Sequence, residues 1–272
     1  MTKLDEEFIA ELLHRAGNKI MSVRGGSVSW RTKSGPQDIV TAADTQAEEL
    51  ILDEIRHAYP LDGILSEEAG LSPGTSGATW VVDPLDGTKN FAAGSPDFGV
   101  MISRMTEGRV QAAGIHLPAH GVVFSASAGA GARKNGVPFR LAGTSPLSES
   151  LVDFSTVGED GGFMEEQLQL LKLLLERSRG VRAVGSAKMF ADVLDGTLAG
   201  ACSLAYRHWD VAAPALIVAE AGGHACQLDG APLDLSVSTT RVDGERVPAI
   251  FGAAHIVEEI VHAAREVDVT SA

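Results

Sequence analysis

The chain has 272 residues, 44% of them hydrophobic, which is enough for one large domain or two interlocked ones around a buried core. Its 36 acidic and 22 basic residues give a net charge of −14, and the sequence has no basic patch with interleaved aromatic residues. This composition argues against nucleic acid as the main ligand. Cys202 and Cys226 are too few for a disulfide framework or a cysteine-based zinc site.

The N-terminal segment MTKLDEEFIAELLHRAG is charged and has a helical pattern, which is not typical of a signal peptide. The longest apolar stretch, VAAPALIVAEAGG, is interrupted by Pro214 and is too short to cross a bilayer. These features predict a soluble, cytoplasmic protein without a membrane partner.

The first half of the chain has the pattern of helices combined with an antiparallel sheet. Apolar residues between Leu4 and Ile20 recur at helical spacing, and a Gly-rich loop or hairpin is predicted over residues 24–38. A second helix is predicted over residues 41–59, where Thr41 and Asp44 have capping-box spacing. Strands are predicted at GILSEE, at TWVVD and in a meander over residues 98–128, and an Asn-Gly turn is predicted in RKNGVPF.

From about residue 149, strands and helices alternate. The predicted strands are SLVDFS, VRAVGS, ACSLAY, HACQL and AIFGAA, and the predicted helices are MEEQLQLLKLLLERS, AKMFADVLDG, WDVAAPALIVAEAGG and IVEEIVHAAREV. We therefore divide the chain into an α+β half, residues 1–148, and an α/β half, residues 149–272. The segment LQLLKLLLE is interpreted as facing the core of the second half, with an interaction helix as the alternative.

Two carboxylates follow an apolar strand in the segment VVDPLDGTKNF. Pro84 fixes its own φ and Gly87 permits a backbone shape that other residues resist, so a turn here can direct Asp83, the Leu85 carbonyl and Asp86 to one point. Three hard oxygen atoms at one point suit Mg²⁺. Taken alone, Asp-Pro-x-Asp-Gly is also explained as a simple turn.

Three other segments favour the metal site. Ser66, Glu67 and Glu68 end a strand that is a natural neighbour of TWVVD in a sheet. Asp210 stands at the start of an apolar helix, where an N-cap is the alternative interpretation. Thr88 begins a short helix, and the free N–H groups of a helix N-terminus suit an anion. A metal cluster beside such a helix predicts a phosphate site in an otherwise acidic protein.

With these motifs the chain resembles the inositol monophosphatase family of Mg²⁺-dependent, lithium-sensitive phosphatases. WVVDPLDGTKNF and WDVAAPALIVAEAGG are similar to the two signatures of that family, and KSGPQDIVTAAD and ILSEEAG match two further segments. The resemblance covers nearly the whole chain and implies a layered αβαβα sandwich, two or three Mg²⁺ ions and a homodimer. Phosphatases of adenosine bisphosphate, fructose bisphosphate, histidinol phosphate and NADP share the signatures, which therefore do not identify the substrate.

The resemblance also implies roles for individual residues. The implied metal ligands are Glu67, Asp83, the Leu85 carbonyl, Asp86 and Asp210. The implied catalytic residues are Glu67, which orients the attacking water, and Thr88, which polarises that water together with Asp44. The implied substrate-binding residues are Gly87 and Thr88 at the phosphate, Gly185, Ser186, Ala187 and Asp210 at the alcohol part, and Lys33 on a hairpin that closes the site.

Three positions differ from the family pattern. Ser66 replaces the usual glycine of Gly-Glu-Glu, which leaves Glu68 as an alternative to Glu67 as the ligand. Ser203 stands where the inositol enzymes carry a glutamate that binds substrate hydroxyls, and this difference predicts a broader substrate range. Lys188 adds a cation directly after the substrate loop.

Several residues with chemical potential are given structural interpretations instead. His208, beside Trp209, is not expected to act as a base, since a metal-activated water needs no imidazole. His116 and His120 flank a turn and are predicted to lie at the surface. Trp30 and Trp80 are predicted to pack rather than to stack on bases.

The predicted function is a Mg²⁺-dependent phosphomonoesterase that acts on a small phosphorylated polyol or sugar such as inositol 1-phosphate. The alternatives within the family are a 3′-phosphoadenosine-type nucleotide phosphatase and a fructose-1,6-bisphosphatase. The alternative of another class is a non-catalytic regulatory protein that keeps the fold and binds a partner. The presence of every metal-ligand residue favours an enzyme.

Overall fold

The predicted α/β class and layered fold are confirmed by a computed structural model, which describes residues 2–24, 28–33, 39–141, 145–156, 164–237 and 246–267. The helices in these ranges are α1 (Thr2–Val23), α2 (Ala42–Ala58), α3 (Thr88–Ala92), α4 (Met164–Arg177), α5 (Ala187–Leu194), α6 (His208–Glu220) and α7 (Ala254–Glu266). None of these described helices is long and apolar enough to cross a membrane.

The first strands form a short antiparallel ribbon. It consists of β1 (Trp30–Thr32) and β2 (Ile39–Thr41), within the segment predicted as a loop or hairpin. Residues 25–27 and 34–38 of that segment lie outside the described residues.

An eight-stranded sheet follows. Its strands are β3 (Gly63–Ser66), β4 (Gly70–Ser72), β5 (Ala78–Asp86), β6 (Gly99–Thr106), β7 (Arg109–Leu117), β8 (Val122–Ser127), β9 (Ala132–Lys134) and β10 (Val137–Phe139). The strand order is β10-β9-β8-β7-β6-β5-β3-β4, and every pair is antiparallel except β3 and β5. The predicted Asn-Gly turn joins β9 to β10, where Asn135 and Gly136 both have the positive φ that a type I′ turn requires.

The second half of the chain forms a five-stranded sheet. Its strands are β11 (Leu151–Phe154), β12 (Gly180–Arg182), β13 (Gly200–Tyr206), β14 (His224–Cys226) and β15 (Val247–Gly252). The order is β12-β11-β13-β15-β14, with β11 parallel to both of its neighbours and the other pairs antiparallel. The division of the chain at residues 148 and 149 stays a prediction, although the two sheets fall on either side of it.

The elements stack as five layers. Helices α1 and α2 pack on one face of the eight-stranded sheet, and α5 and α6 lie between its other face and the five-stranded sheet. Helices α4 and α7 cover the outer face of the five-stranded sheet. The layers bury three apolar clusters: one lies under α1 and α2, one surrounds α5 and α6 and reaches both sheets, and one lies under α4 and α7. Because α5 and α6 contact both sheets, residues at their N-termini lie beside strand ends of the first half.

Two surface and packing predictions are wrong. His116 is only 5% exposed, and its Nδ1 donates to the Leu13 carbonyl at 2.8 Å. Gly17 of α1 leaves room for the His116 ring, since a Cβ at Gly17 would lie 2.4 Å from that ring. Trp30 is 55% exposed because it lies on the two-stranded ribbon, whereas Trp80 is fully buried as predicted.

Helix α4 faces the core with only one side. Leu170 and Leu174 are fully buried, in agreement with the core-facing interpretation. Leu168 and Leu175 lie on the other side and are 50% and 55% exposed. The outer side of the helix therefore exposes two leucines among charged and polar residues.

Candidate active site

A bulge at the end of β5 determines where its two aspartates lie. Residues three apart in a regular strand point to opposite faces of the sheet. Here Asp83 pairs with Met101 and Asp86 pairs with Gly99, so β5 carries one residue more than β6 between these pairs. The extra residue brings Asp83 and Asp86 to the same side. The segment predicted as a tight turn is thus a bulged strand, and the turn comes at Gly87.

Asp210 reaches the same point from the second half of the chain. It is the third residue of α6, which begins at His208, so the N-cap interpretation is wrong and Arg207 holds that position. The Asp210 carboxylate accepts the Arg207 N–H at 2.7 Å. One ligand oxygen from each of Asp83, Asp86 and Asp210 lies within 4.8 Å of the other two.

Glu67 joins this cluster through the parallel pairing of β3 with β5. Ser66 lies opposite Val82, and the Glu67 N–H donates to the Val82 carbonyl at 3.2 Å, so the residues that follow both strands meet at one sheet edge. Glu67 raises the pKa of both Asp83 and Asp86 through charge repulsion. The pKa of Glu68 is raised mainly by burial, and charge repulsion from Asp44 and Glu48 adds to the rise.

Burial and mutual repulsion make this cluster unfavourable as four free anions. Burial is the largest cause of the raised pKa of Asp83, Asp86 and Asp210, and repulsion by neighbouring carboxylates adds to it. The pKa of Glu67 is likewise raised, mainly by burial, although Lys33 opposes the rise. Protonation or a cation between the oxygens relieves this repulsion.

The donor set fits a hard divalent cation. All four side chains offer carboxylate oxygen, the ligand type of Mg²⁺. Asp86 Oδ2 is buried and accepts no hydrogen bond from the described residues. A buried carboxylate oxygen without a donor is costly unless something else, such as a metal ion, contacts it. The Leu85 carbonyl, the implied fifth ligand, lies 3.0 Å from Thr88 Oγ1.

Lys33 partly neutralises the acidic edge. Its Nζ lies 3.0 Å from Glu67 Oε1 and 2.8 Å from Glu68 Oε1. It comes from the residue directly after β1, so the two-stranded ribbon is tied to the strand end that carries both glutamates. Lys33 therefore contacts the cluster itself, as expected for a residue on a hairpin over the site.

Thr88 and Asp44 form the predicted pair. Thr88 Oγ1 donates to Asp44 Oδ1 at 2.7 Å. Asp44 also accepts the N–H and the hydroxyl of Thr41 in the predicted capping box at the start of α2. Because these donors hold Asp44 in place, the Thr88 hydroxyl proton is directed at Asp44 and its oxygen lone pairs are left for another donor.

The predicted substrate loop packs directly on the strand end that carries Asp83 and Asp86. Gly87 has φ +88°, and a Cβ at Gly87 would lie 2.6 Å from the Ser186 Cβ. The backbone of Ala187 stabilises the ionised Asp86 carboxylate and so opposes the rise of its pKa. Gly185 has φ +61°, and Ser186 caps α5. All predicted site residues from the two halves thus meet at one place.

The model of the inositol monophosphatase family matches residues 3–264 of this chain. The chain belongs to the inositol monophosphatase family. It is 32% identical over 231 residues to the fructose-1,6-bisphosphatase/inositol-1-monophosphatase of Thermotoga maritima, covering 85% of this chain and 86% of that protein. It is 36% identical over 195 residues to the Nus factor SuhB of Xylella fastidiosa, covering 71% of this chain and 70% of that protein.

Solved structures have the same fold. The extragenic suppressor protein suhB of Bartonella henselae superposes with a TM-score of 0.84 at 28% identity, covering 94% of this chain and 96% of that chain. An IMPase/NADP phosphatase in complex with Mg²⁺ and phosphate has a TM-score of 0.82 at 21% identity, covering 96% and 95%, and this likeness is one of fold alone.

Two residues that differ from the inositol enzymes of the family are engaged within the protein. Lys188 Nζ lies 2.5 Å from Asp192 Oδ1 on the same helix, α5. Ser203 is 2% exposed, and its Oγ donates to the Ser155 carbonyl at 2.7 Å. Both side chains are therefore bonded within the protein, whereas the glutamate of the inositol enzymes is expected to bind substrate hydroxyls.

Two residues beside the site were missed by sequence reasoning. Asp153 of β11 and Asn90 of α3 both bond the backbone of Val184, directly before the substrate loop. Asp153 had a signal, since SLVDFS places one acidic residue within an apolar strand pattern. Asn90 had none, because an asparagine in a short helix is ordinary.

Proposed function

We propose that this protein is a Mg²⁺-dependent phosphomonoesterase that hydrolyses a small phosphorylated polyol or sugar such as inositol 1-phosphate. Membership of the inositol monophosphatase family supports the phosphatase class. The observation that carries the proposal is the convergence of Asp83, Asp86 and Asp210 within 4.8 Å beside Glu67. Two or three Mg²⁺ ions, a homodimer and a cytoplasmic location belong to the same proposal.

The chemistry follows from the groups around the cluster. Bound Mg²⁺ supplies positive charge for the phosphate oxygens and lowers the pKa of water. Glu67, Asp83, Asp86, Asp210 and the Leu85 carbonyl are the proposed ligands. In the proposed mechanism Thr88 accepts a proton from the attacking water while it donates its own to Asp44, and Glu67 orients that water. Gly87 and Thr88 bind the phosphate through their N–H groups, and Gly185, Ser186, Ala187, Asp210 and Lys33 contact the rest of the substrate.

The substrate range is proposed to be broad. Ser203 replaces a glutamate, and a carboxylate contact to a hydroxyl contributes roughly 1.5–3 kcal/mol. Its absence corresponds to about a ten- to hundredfold weaker discrimination. The Thermotoga maritima relative carries both a fructose-1,6-bisphosphatase and an inositol-1-monophosphatase name. We therefore expect bisphosphates to be no worse substrates than inositol 1-phosphate.

A regulatory function is the second candidate, because several relatives are named Nus factors. In this alternative the protein keeps the fold and binds a macromolecular partner. The filled ligand positions favour an enzyme, and the net charge of −14 opposes direct RNA binding.

The deciding experiment measures phosphate release from inositol 1-phosphate, fructose 1,6-bisphosphate and adenosine 3′,5′-bisphosphate. Activity is expected with Mg²⁺, none with EDTA, and inhibition by Li⁺. Full activity in EDTA would exclude the metal mechanism, and no release from any ester would favour the regulatory candidate. Comparison with Ser203→Glu tests the substrate range, since a native preference for inositol 1-phosphate that this change leaves unaltered would contradict the role of Ser203.

A further inference from the structure

The peptide groups of Val184 are held from two directions. Its N–H donates to Asp153 Oδ2 at 2.8 Å, and its carbonyl accepts the Asn90 side-chain amide at 3.0 Å. Val184 directly precedes Gly185, where the proposed substrate loop begins. The backbone position from which that loop starts is therefore defined by two side chains from separate elements.

Asp153 is anchored in the five-stranded sheet. It is fully buried in β11, and its second oxygen, Oδ1, accepts the Ser155 hydroxyl at 2.9 Å. Ser203 of β13 donates in turn to the Ser155 carbonyl at 2.7 Å. Burial raises the pKa of Asp153 to about 6, but the donors from Val184 and Ser155 oppose the rise, so Asp153 is ionised at neutral pH. An ionised carboxylate suits two converging donors.

Asn90 belongs to the segment that directly follows β5 of the eight-stranded sheet. It lies on α3, two residues after Thr88, and its amide also donates to the Asp97 carbonyl at 2.9 Å. Asn90 thus links Val184 to the segment that carries Asp83, Asp86 and Thr88. Through Val184, side-chain hydrogen bonds connect the proposed phosphate-binding segment to the five-stranded sheet.

We propose that Asp153 and Asn90 are positioning residues that fix Val184, and with it the loop of residues 184–187, against the metal-binding strand end. This inference rests on the proposed function in one respect, namely that the loop contacts the alcohol part of the substrate. The last residue of this loop, Ala187, is the first residue of α5, which lies between the two sheets. A side chain that sets the position of Val184 therefore sets how the alcohol part is recognised without touching it.

Both carboxylate oxygens of Asp153 act as hydrogen-bond acceptors, so a variant that replaces one acceptor with a donor tests the proposal. In Asp153→Asn the side chain keeps its size, but one of the two acceptors becomes an amide donor. That donor faces either the Val184 N–H or the Ser155 hydroxyl, so the variant cannot keep both bonds with their present polarity. Asp192→Asn is the matched control, because Asp192 lies nearby on α5 and bonds Lys188, not Val184.

The first measurement is amide hydrogen exchange of the full chain, which needs no substrate. The Val184 amide is expected to exchange about tenfold faster in Asp153→Asn than in the native protein or in Asp192→Asn. The second measurement is steady-state kinetics with inositol 1-phosphate. Asp153→Asn and Asn90→Ala are expected to raise KM about tenfold, with inhibition by inorganic phosphate and Mg²⁺ affinity unchanged.

The outcomes separate this inference from the proposed function. Unchanged exchange at Val184 in Asp153→Asn, together with an unchanged KM in both Asp153→Asn and Asn90→Ala, overturns the inference. Equal losses of phosphate affinity, Mg²⁺ affinity and substrate affinity also overturn it, because they indicate a general structural role. If the native protein hydrolyses no ester but the Val184 amide still responds to Asp153→Asn and not to Asp192→Asn, the proposed function fails and the positioning of the loop is supported.

Discussion

Thr88 Oγ1 has two acceptors within reach, Asp44 at 2.7 Å and the Leu85 carbonyl at 3.0 Å. A hydroxyl has one proton, so the shorter bond to the carboxylate decides where it points. Asp44 is itself fixed by the capping box with Thr41. At the scale of single residues, a helix cap therefore doubles as the acceptor in the proposed proton transfer.

Thr88→Ala removes the hydroxyl but none of the carboxylates. We expect kcat to fall by about 10²–10⁴-fold, the usual contribution of general acid–base assistance, with Mg²⁺ affinity kept. Titration calorimetry with Mg²⁺ and steady-state kinetics measure the two quantities. Thr88→Ser is the control, and it should retain most of the rate. Loss of Mg²⁺ binding in Thr88→Ala with an intact rate would show that the assigned role is wrong.

Glu67→Gln and Glu68→Gln test which glutamate is the ligand. Glu67 interacts with Asp83, Asp86 and Asp210, so its neutralisation is expected to weaken Mg²⁺ binding and to abolish most turnover. Glu68 faces Asp44 and Glu48, so Glu68→Gln is expected to leave Mg²⁺ affinity within a few-fold of native. The two variants carry the same chemical change in adjacent residues. The reverse order of effects would assign the ligand to Glu68.

At the scale of elements, the end of β5 combines three local features. The bulge between Asp83 and Asp86 aligns the carboxylates, and the parallel partner β3 ends beside it with Glu67. Gly87 then reverses the chain with φ +88° and allows Ser186 to approach. A parallel pair and a bulge are both needed, since either alone leaves one carboxylate away from the cluster.

Gly87→Ala is expected to damage the site more than the backbone strain explains. A non-glycine residue at positive φ costs about 1–2 kcal/mol, and the added Cβ would also lie 2.6 Å from the Ser186 Cβ. Gly94→Ala is the matched control, because Gly94 has φ +81° with no atom within 4 Å of such a Cβ. We expect Gly87→Ala to lower Tm further than Gly94→Ala and to raise KM, both measured on purified variants. Equal effects of the two variants would contradict the close contact of the loop.

At the scale of the whole molecule, the site depends on both sheets and on the layer between them. Glu67, Asp83 and Asp86 come from the eight-stranded sheet, whereas Asp210 comes from α6, which packs between the sheets. Folding therefore brings four carboxylates together in a protein with a net charge of −14. Their repulsion opposes folding of the metal-free protein and is relieved by a bound cation.

This repulsion predicts how stability depends on pH. The folded-state pKa values of Asp83, Asp86 and Asp210 are raised above the unfolded value of about 4. Between about pH 4 and the raised pKa values the native state binds more protons than the unfolded state, so the free energy of unfolding falls as pH rises. In EDTA we expect a higher Tm at pH 5.5 than at pH 8.

At pH 8, Mg²⁺ at a hundredfold excess over its Kd is expected to add about 2.7 kcal/mol to the free energy of unfolding. Tm should therefore rise. The control is Asp86→Asn, which carries one carboxylate fewer. Without metal its Tm should fall less between pH 5.5 and pH 8, and Mg²⁺ should stabilise it less. Differential scanning calorimetry measures both changes, and an identical pH dependence of native protein and Asp86→Asn would contradict the interpretation.

The sequence by itself determined the features that depend on neighbouring residues. Capping by Thr41 and Asp44, the Asn-Gly turn at Asn135 and the amphipathic helices follow from spacing along the chain. Asp83 and Asp86 attracted attention because two carboxylates around a proline, followed by a glycine, are unusual at the end of an apolar strand, whereas the full set of proposed ligands came from the family resemblance. These features required no knowledge of which strands pair.

Only the tertiary structure decided the contacts between distant segments. The bulge opposite Gly99 placed Asp83 and Asp86 on one side, and Gly17 admitted His116 into the core. Asp153 and Asn90 met at Val184 although 63 positions separate them along the chain. Each outcome depends on how segments far apart in the chain pack together, and the local sequence does not encode which segment the partner will come from. The sequence therefore predicts which chemical groups form the site, whereas the packing of distant segments determines how these groups are positioned relative to one another.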